Sequence, residues 1–287
     1  MLPSQTLASV PVWMTSLALS AEKGRPTLVG HWTQLYRYRD LLWLWTLREV
    51  QVRYKQSFLG AAWAVLQPLA LTVIFTLVFS RLLRVDTGGI PYPLFAYAAL
   101  VPWTFFATSL SFGIPSLVSN MNLVTKIYFP REILPLASVG AAFVDFLMSA
   151  IVFVGMMLVY HVTPTVMSLW VIPLLVLQIV LSLAVTLAGS AVLVFFRDVR
   201  FVIPLLTQIW MYATPVIYPA TLVPERWRTL YFLNPMAGVV DGYRRALLLG
   251  QAPLLESIAL SAAVSIVLLA VGYTVFKRAE PTFADLI

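Results

Sequence analysis

Six apolar stretches, each near the length that crosses a lipid bilayer, dominate the sequence between residues 58 and 276. A helix needs about 20 such residues to span the hydrocarbon layer. The stretches run roughly over 58–80, 93–113, 133–160, 166–196, 202–218 and 254–276. Lipid offers no partner for backbone N–H and C=O groups, so each must be helical. The chain is 60% hydrophobic and 11% charged, with a mean hydropathy of +0.88; soluble domains sit near 45–50% and about 25%. The expected fold is therefore an all-α integral membrane protein with six transmembrane helices. The fourth stretch is long enough to tilt or project from the bilayer. The fifth is short and broken by Pro204 and Pro215, which suits a segment buried among other helices.

The positive residues orient these spans. With the N-terminus inside, Lys23, Arg25, Arg37, Arg39, Arg48, Arg53, Lys55, Lys126, Arg131, Arg197, Arg200, Lys277 and Arg278 are cytoplasmic, 13 of the 19 Lys and Arg. Arg81, Arg84, Arg226, Arg228, Arg244 and Arg245 remain outside, four of them in one long connection. Both termini are thus expected in the cytoplasm, and the net charge of +7 belongs to cytoplasmic loops and membrane lipids rather than to nucleic acid. Residues 1–21 carry no Lys or Arg, and Pro11 interrupts their apolar run, so they read as tail rather than cleaved signal.

Ahead of the first span, RDLLWLWTLREVQVRYKQ (39–56) reads as an amphipathic interfacial helix with two apolar stripes. One holds Leu41, Trp45 and Val52, and the other Trp43, Leu47, Val50 and Tyr54. Arg48, Arg53 and Lys55 fall in the polar sectors between them. At the headgroup level these cations either anchor the helix by snorkelling or meet the phosphates of a lipid-linked substrate. Within the first span Gly60, Trp63 and Gln67 share a face. They line a polar, aromatic cavity or serve helix–helix hydrogen bonding.

Two connections are not ordinary polar loops. PATLVPERWRTLYFLNPMAGVVDGYRRALLLGQAP (219–253) holds two apolar pieces too short to span, with the turn signal Asn234-Pro235 between them. It reads as two short re-entrant helices, with a small extracytoplasmic cap as the alternative. SNMNLVTKIYFPREILP (119–135) places Leu123, Ile127, Tyr128 and Phe129 beside Lys126, Arg131 and Glu132. An apolar tip rimmed by charge resembles a docking surface; packing against the protein's own interfacial helix is the alternative.

No Walker A pattern, GxGxxG, HExxH or GxSxG occurs, so neither ATP hydrolysis by that route nor familiar hydrolase chemistry is expected of this chain. Its two histidines, His31 and His161, form no metal-ligand pattern, there is no cysteine, and neither a catalytic nor a metal site is expected. Asp145 and Glu256 are the carboxylates within the expected spans; each reads as a functional group by default or as a structural bond to a neighbouring helix. Aromatic residues gather at Trp103, Phe105 and Phe106, and again at Trp210, Tyr212 and Tyr218. Core packing and interface belts explain such clusters, and a sugar-bearing pathway would also use them.

The strings RYKQSFLGAAWAVLQP, YPLFAYAALVPWTFF, KIYFPREILPL and LNPMAGVVDGYRRALL, in that order, resemble the membrane subunit of type-2 ABC exporters of cell-surface polysaccharides, the O-antigen, capsule and teichoic acid permeases. The resemblance covers roughly 35–280. It implies a cytoplasmic tail at 1–34, an interfacial helix at 35–57, a six-span domain at 58–280 and a cytoplasmic end at 281–287. It further implies a coupling helix at 119–132, made of Leu123, Lys126, Tyr128, Phe129, Arg131 and Glu132 and seated on a separate ATPase subunit. Two ATPase copies would use ATP and Mg, none bound by this chain. Two copies of this chain would enclose a conduit between spans one and five, in a bacterial inner membrane. A polyprenyl-pyrophosphate-linked glycan would meet Arg48, Arg53 and Lys55, then pass Trp63, Gln67, Trp103, Phe106, Trp210 and Tyr212. A permease for a drug or small lipid-like molecule, and a polyprenyl-phosphate-dependent membrane transferase, are the alternatives. The transferase would need acid–base residues converging at one membrane face, and Asp145, Asp241, Glu225 and Glu256 do not group in sequence.

Overall fold

A computed structural model describes residues 36–55 and 57–283. The expected tail at 1–34, Gln56 and the last four residues of the expected cytoplasmic end lie outside the described residues. Contacts divide the chain at Asp40. Before that point, Arg39 donates to the Tyr36 hydroxyl at 2.6 Å and lies over its ring. The rest concerns the unit from Leu41 onward.

The helices are α1 (Arg39–Tyr54), α2 (Trp63–Phe75), α3 (Tyr92–Gly113), α4 (Ser116–Ser119), α5 (Met121–Lys126), α6 (Ile133–Val159), α7 (Val171–Phe195), α8 (Val199–Ala213), α9 (Glu225–Phe232), α10 (Pro235–Leu247) and α11 (Leu255–Ala279). No strand occurs among the described residues. Short 3-10 turns lengthen α2, α7 and α11, and a π-helical turn, Thr76–Leu82, continues α2. Five helical segments are long and apolar enough to cross a membrane: Gly60–Leu82, Tyr92–Gly113, Ile133–Val159, Val166–Phe195 and Leu255–Thr282. The sixth expected span is the shorter α8. Its 15 residues reach about 22 Å at 1.5 Å per residue, less than the roughly 30 Å of a hydrocarbon layer. The chain leaves helix geometry at Thr214, so Pro215 ends this helix rather than kinking it.

Helix α3 is the axis of the bundle. Its sequence is apolar all round, which marks a helix enclosed by others, and Leu94, Ala96, Tyr97, Ala99, Leu100 and Phe106 are fully buried. Phe105 meets Phe143 and Phe146 of α6, and Tyr97 stacks on Phe153. Pro102 sits mid-helix, and its carbonyl accepts a hydrogen bond from the fully buried Gln178 of α7 at 2.5 Å. Helices α7 and α11 meet along small residues. An added Cβ at Gly272 would stand 2.5 Å from the Ala184 carbonyl oxygen. Helix α10 is as buried as α3, with Met236, Ala237, Val239, Val240 and Ala246 wholly covered. By contrast no residue of α8 is buried.

Between α1 and α2 the chain turns through Gly60 at φ +52°, a left-handed backbone that costs other residues energy. The abrupt passage from RYKQS to FLGAAW is thus a corner.

The α7–α11 contact generates the first prediction. Gly272→Ala should lower thermal stability by about 1–3 kcal/mol, because a backbone oxygen cannot yield as a flexible side chain can. Gly155→Ala is the control, since a Cβ there meets nothing within 4 Å. Thermal unfolding of the two variants in the same detergent checks this.

Candidate functional site: a cavity beneath the interfacial helix

Helix α1 docks on the bundle by a face that periodicity did not single out. Thr46 is its buried residue, opposite Gly140 of α6, whose added Cβ would stand 3.0 Å from the threonine methyl. Leu42, Glu49 and Arg53, spaced by three or four residues on the same side, are half-buried. Trp43, Leu44, Leu47 and Val52 are exposed. The two-stripe expectation is therefore corrected in part: Leu41, Trp45, Val50 and Tyr54 are half-buried, Trp43, Leu47 and Val52 are exposed, and the inward side also carries the polar Thr46, Glu49 and Arg53.

The reason is Asp145. The Arg53 guanidinium Nη1 donates to Asp145 Oδ2, and the Tyr54 hydroxyl donates to Asp145 Oδ1 at 2.6 Å. Both charged side chains are only 10% exposed. The guanidinium also lies over the Phe112 ring at 4.0 Å, a favourable cation–π placement. Burial, then the hydrogen bond to Asp145, push the Tyr54 hydroxyl well above its ordinary pKa. It therefore stays protonated as a donor. Ser149, one turn beyond Asp145, donates to the Ala64 carbonyl at 2.8 Å and ties α6 to α2.

These residues border a cavity of about 230 Å³. Helix α1 contributes Arg53 and Tyr54; α2 contributes Trp63, Ala64 and Gln67; α3 contributes Val101, Thr104, Phe105, Thr108 and Phe112; α6 contributes Asp145, Phe146 and Ser149. The structure thus brings Arg53, Trp63 and Gln67 together. It moves Arg53 from headgroup contact to an internal ion pair, and leaves Arg48 and Lys55 exposed. Arg48 lies over the Trp45 ring and donates weakly to Asn120 at 3.4 Å.

The other expected site residues divide in two. Trp103 and Phe106 are buried in the single chain and pack against each other, and Trp210 meets Phe106 edge-on at 4.9 Å. Trp103 and Phe106 are core residues here, a correction to the conduit expectation. Tyr212 of α8 is exposed. In the 119–132 connection, Tyr128 is 86% exposed and Glu132 only 1%. Lys126 and Ile127 face outward with Tyr128, Leu123 is half-buried, and Phe129 is buried. Glu132 pairs with Lys277 of α11 at 2.8 Å, and Lys277 reaches Glu280 at 2.9 Å. Arg131 donates to the Glu280 backbone carbonyl and lies toward the Phe283 ring. Phe129, Arg131 and Glu132 are thus engaged within the chain, and the outward tip is Met121, Lys126, Ile127 and Tyr128.

Two residues to which sequence reading gave no site role organise the α10 region. Asn234 caps α10 by accepting from Met236 N, and accepts from Trp210 Nε1 at 2.8 Å. Its amide donates to Ala213 O and to Thr214 Oγ1. Arg244, which the charge pattern placed among outer loop cations, is 4% exposed. It donates to the carbonyls of Phe95, Pro215, Val216 and Tyr218, and lies 3.5 Å from the Phe95 ring centroid. Arg245 takes Asp241 at 2.8 Å. The turn signal marked Asn234; nothing local marked Arg244, because its partners are backbone oxygens. Glu256 is exposed beside Glu225 and Arg228, in a groove between α9 and α11. No cluster of potential metal ligands occurs among the described residues.

Removing one partner of a buried ion pair strands the other charge, at about 3–5 kcal/mol, whereas replacing both by apolar residues is often neutral. Asp145→Ala should therefore destabilise the protein more than the pair Arg53→Met with Asp145→Leu. A double-mutant cycle on thermal unfolding measures the difference.

Residues 40–248, which hold helices α1 to α10 except the first residue of α1, match the family model for ABC-2 type transporters. The chain is 32% identical over 255 residues to the O-antigen export system permease protein RfbA of Myxococcus xanthus, covering 88% of this chain and 97% of that one. To the protein of the same name from Klebsiella pneumoniae it is 31% identical over 249 residues, covering 86% and 95%. The polysialic acid transport protein KpsM of Escherichia coli is 23% identical over 239 residues, covering 82% and 91%. The chain belongs to the ABC-2 type transporter family, as a multi-pass membrane permease subunit that works with an ATPase rather than as an enzyme itself.

Proposed function

We propose that this permease exports a polysaccharide of the O-antigen kind, linked to a polyprenyl pyrophosphate, across a bacterial inner membrane. The observation that carries the reading is the likeness to O-antigen export permeases over nearly their whole length. Two copies of this chain act with two copies of the ATPase, and both termini of each copy are cytoplasmic.

The geometry is consistent with this division of labour. Helix α8 buries no residue within one copy, and its apolar residues Phe201, Leu205, Leu206, Ile209 and Tyr212 are exposed. Helix α2 likewise exposes Trp63, Leu66, Val73, Ile74 and Leu77. A second copy covers these faces and closes the conduit, with Trp63, Gln67 and Tyr212 in its wall. Arg48, midway along α1, and Lys55, just before the α1–α2 corner, are exposed cations and meet the pyrophosphate. Helices α9 and α10 re-enter the membrane from the far side. The ATPase seats on the tip formed by Lys126, Ile127 and Tyr128. Its motion reaches the bundle through Glu132 and Arg131, which hold the end of α11. Weak aromatic contacts let sugars advance, since a tightly held polymer would stall.

Affinity purification of the tagged permease, co-expressed with its ATPase, tests this reading. The pair Ile127→Ala and Tyr128→Ala should abolish co-purification of the ATPase while the permease stays folded. Undiminished co-purification moves the seat elsewhere. A strain lacking the permease should lose its surface glycan, and regain it with the wild-type chain but not with that variant. Surface glycan unchanged by the deletion overturns the substrate assignment.

A further inference from the structure

The cavity beneath α1 points to a ligand of its own. The guanidinium Nη2 of Arg53 is buried and has no partner among the described residues, although Nη1 is bound to Asp145. On α3, Thr104 and Thr108 stand one turn apart and line the same space. Most helical threonines here bond back to the carbonyl four residues earlier, as Thr46, Thr72, Thr76 and Thr207 do. Thr104 and Thr108 make no such bond, nor does Gln67 of α2. Buried polar groups are ordinarily satisfied, so the buried Arg53 Nη2 calls for a partner, and the half-buried Thr104 and Thr108 with the exposed Gln67 offer further unengaged donors and acceptors around the same space.

The charge of the site selects what that is. Arg53 and Asp145 cancel, and no other cation among the described residues lines the cavity. A phosphate brought beside Arg53 would face the Asp145 carboxylate as well, so an anion gains little. A neutral ligand rich in hydroxyls suits the inventory, because each hydroxyl both donates and accepts. The remaining walls are aromatic. Trp63 is 48% exposed and Phe112 is exposed too, and a ring face with its negative quadrupole attracts polarised C–H groups. The size agrees: about 230 Å³ equals roughly eight waters at about 30 Å³ each, room for one sugar ring and not for a chain.

We infer that this cavity is a binding site for a single neutral pyranose, with its apolar face on Trp63 and its hydroxyls on Arg53 Nη2, Gln67, Thr104 and Thr108. The site is lined by residues of one copy of the chain, and it shares Trp63 and Gln67 with the proposed conduit wall. Its identification with a sugar of the exported glycan rests on the proposed function. The existence of the site does not. Set beside the α1–α2 corner, it would read the sugar nearest the carrier while the cations outside the cavity meet the carrier's phosphates.

The test is saturation-transfer NMR on the permease–ATPase complex in lipid nanodiscs, probed with methyl glucoside, methyl mannoside, methyl galactoside and inorganic pyrophosphate. At least one methyl glycoside should bind in the wild type. The double substitution Thr104→Val and Thr108→Val, which removes no internal hydrogen bond, should weaken that binding roughly tenfold. Trp63→Leu should abolish the transfer to the ring C–H protons, and pyrophosphate should not compete. Absence of binding by every glycoside, or binding indifferent to the threonine pair, overturns the site. Competition by pyrophosphate replaces it with an anion site. Binding that follows these variants in a protein whose deletion leaves surface glycan unchanged would retain the sugar site and sink only the export reading. Should the threonine pair unfold the complex, Gln67→Leu on the neighbouring helix carries the same expectation.

Discussion

A guanidinium and a carboxylate withdrawn from water together cost several kcal/mol each in lost hydration, and only close contact in good geometry returns it. Arg53 and Asp145 meet that demand, with Tyr54 on the second carboxylate oxygen and the Phe112 face over the cation. Much else depends on the pair. It sets which side of α1 faces the bundle, so that Thr46 nests against Gly140 and the tryptophan at 43 faces away. It leaves Arg48 and Lys55 exposed. It also makes the adjoining cavity neutral, which decides what chemistry can occupy it.

Around α10 a different solution serves the same constraint. Arg244 has no carboxylate partner in hydrogen-bond contact; its donors are taken up by four backbone carbonyls, three of them from the 215–218 segment. Carbonyls that have left helix geometry need donors when buried, and Arg offers five N–H groups in a rigid fork. One side chain thus settles several orphaned acceptors where α8 ends and the chain doubles back. Asn234 completes the junction by using both its amide hydrogens and its carbonyl oxygen, which accepts twice.

The spans were legible because lipid leaves the backbone no choice. The stretch 93–113 became Tyr92–Gly113, and 166–196 became Val166–Phe195, within a residue or so. The short fifth stretch is the exception: read as a span buried among other helices, it forms a helix shorter than the hydrocarbon layer with no buried residue. What escaped was partnership between distant residues. Nothing near Arg53 in sequence reveals Asp145, which lies 92 residues on. Glu132 read as part of a docking rim because Lys277 follows 145 residues later. Aromatic content drew Trp103 and Phe106 toward a conduit, yet a helix apolar on every side is more simply the middle of the bundle. The cavity was half visible: Trp63 and Gln67 were read together, but the threonines of α3 gave no signal until their hydroxyls were seen unbonded.

The uneven hold on α8 has a mechanical consequence. Polar bonds secure its last turn, where Trp210 and Thr214 meet Asn234. Toward its start, Val199 and Ile203 touch the core only through half-buried apolar contacts, which are non-directional and let surfaces slip. The two ends of α8 are thus held by interactions of different kinds: directional hydrogen bonds fix the angle at its last turn, whereas its first turn, which carries Arg200, is placed by apolar packing and by the hydrogen-bonded turn that joins it to α7. Losing the Asn234 bonds would therefore free the orientation of this helix more than losing any single apolar contact near its start.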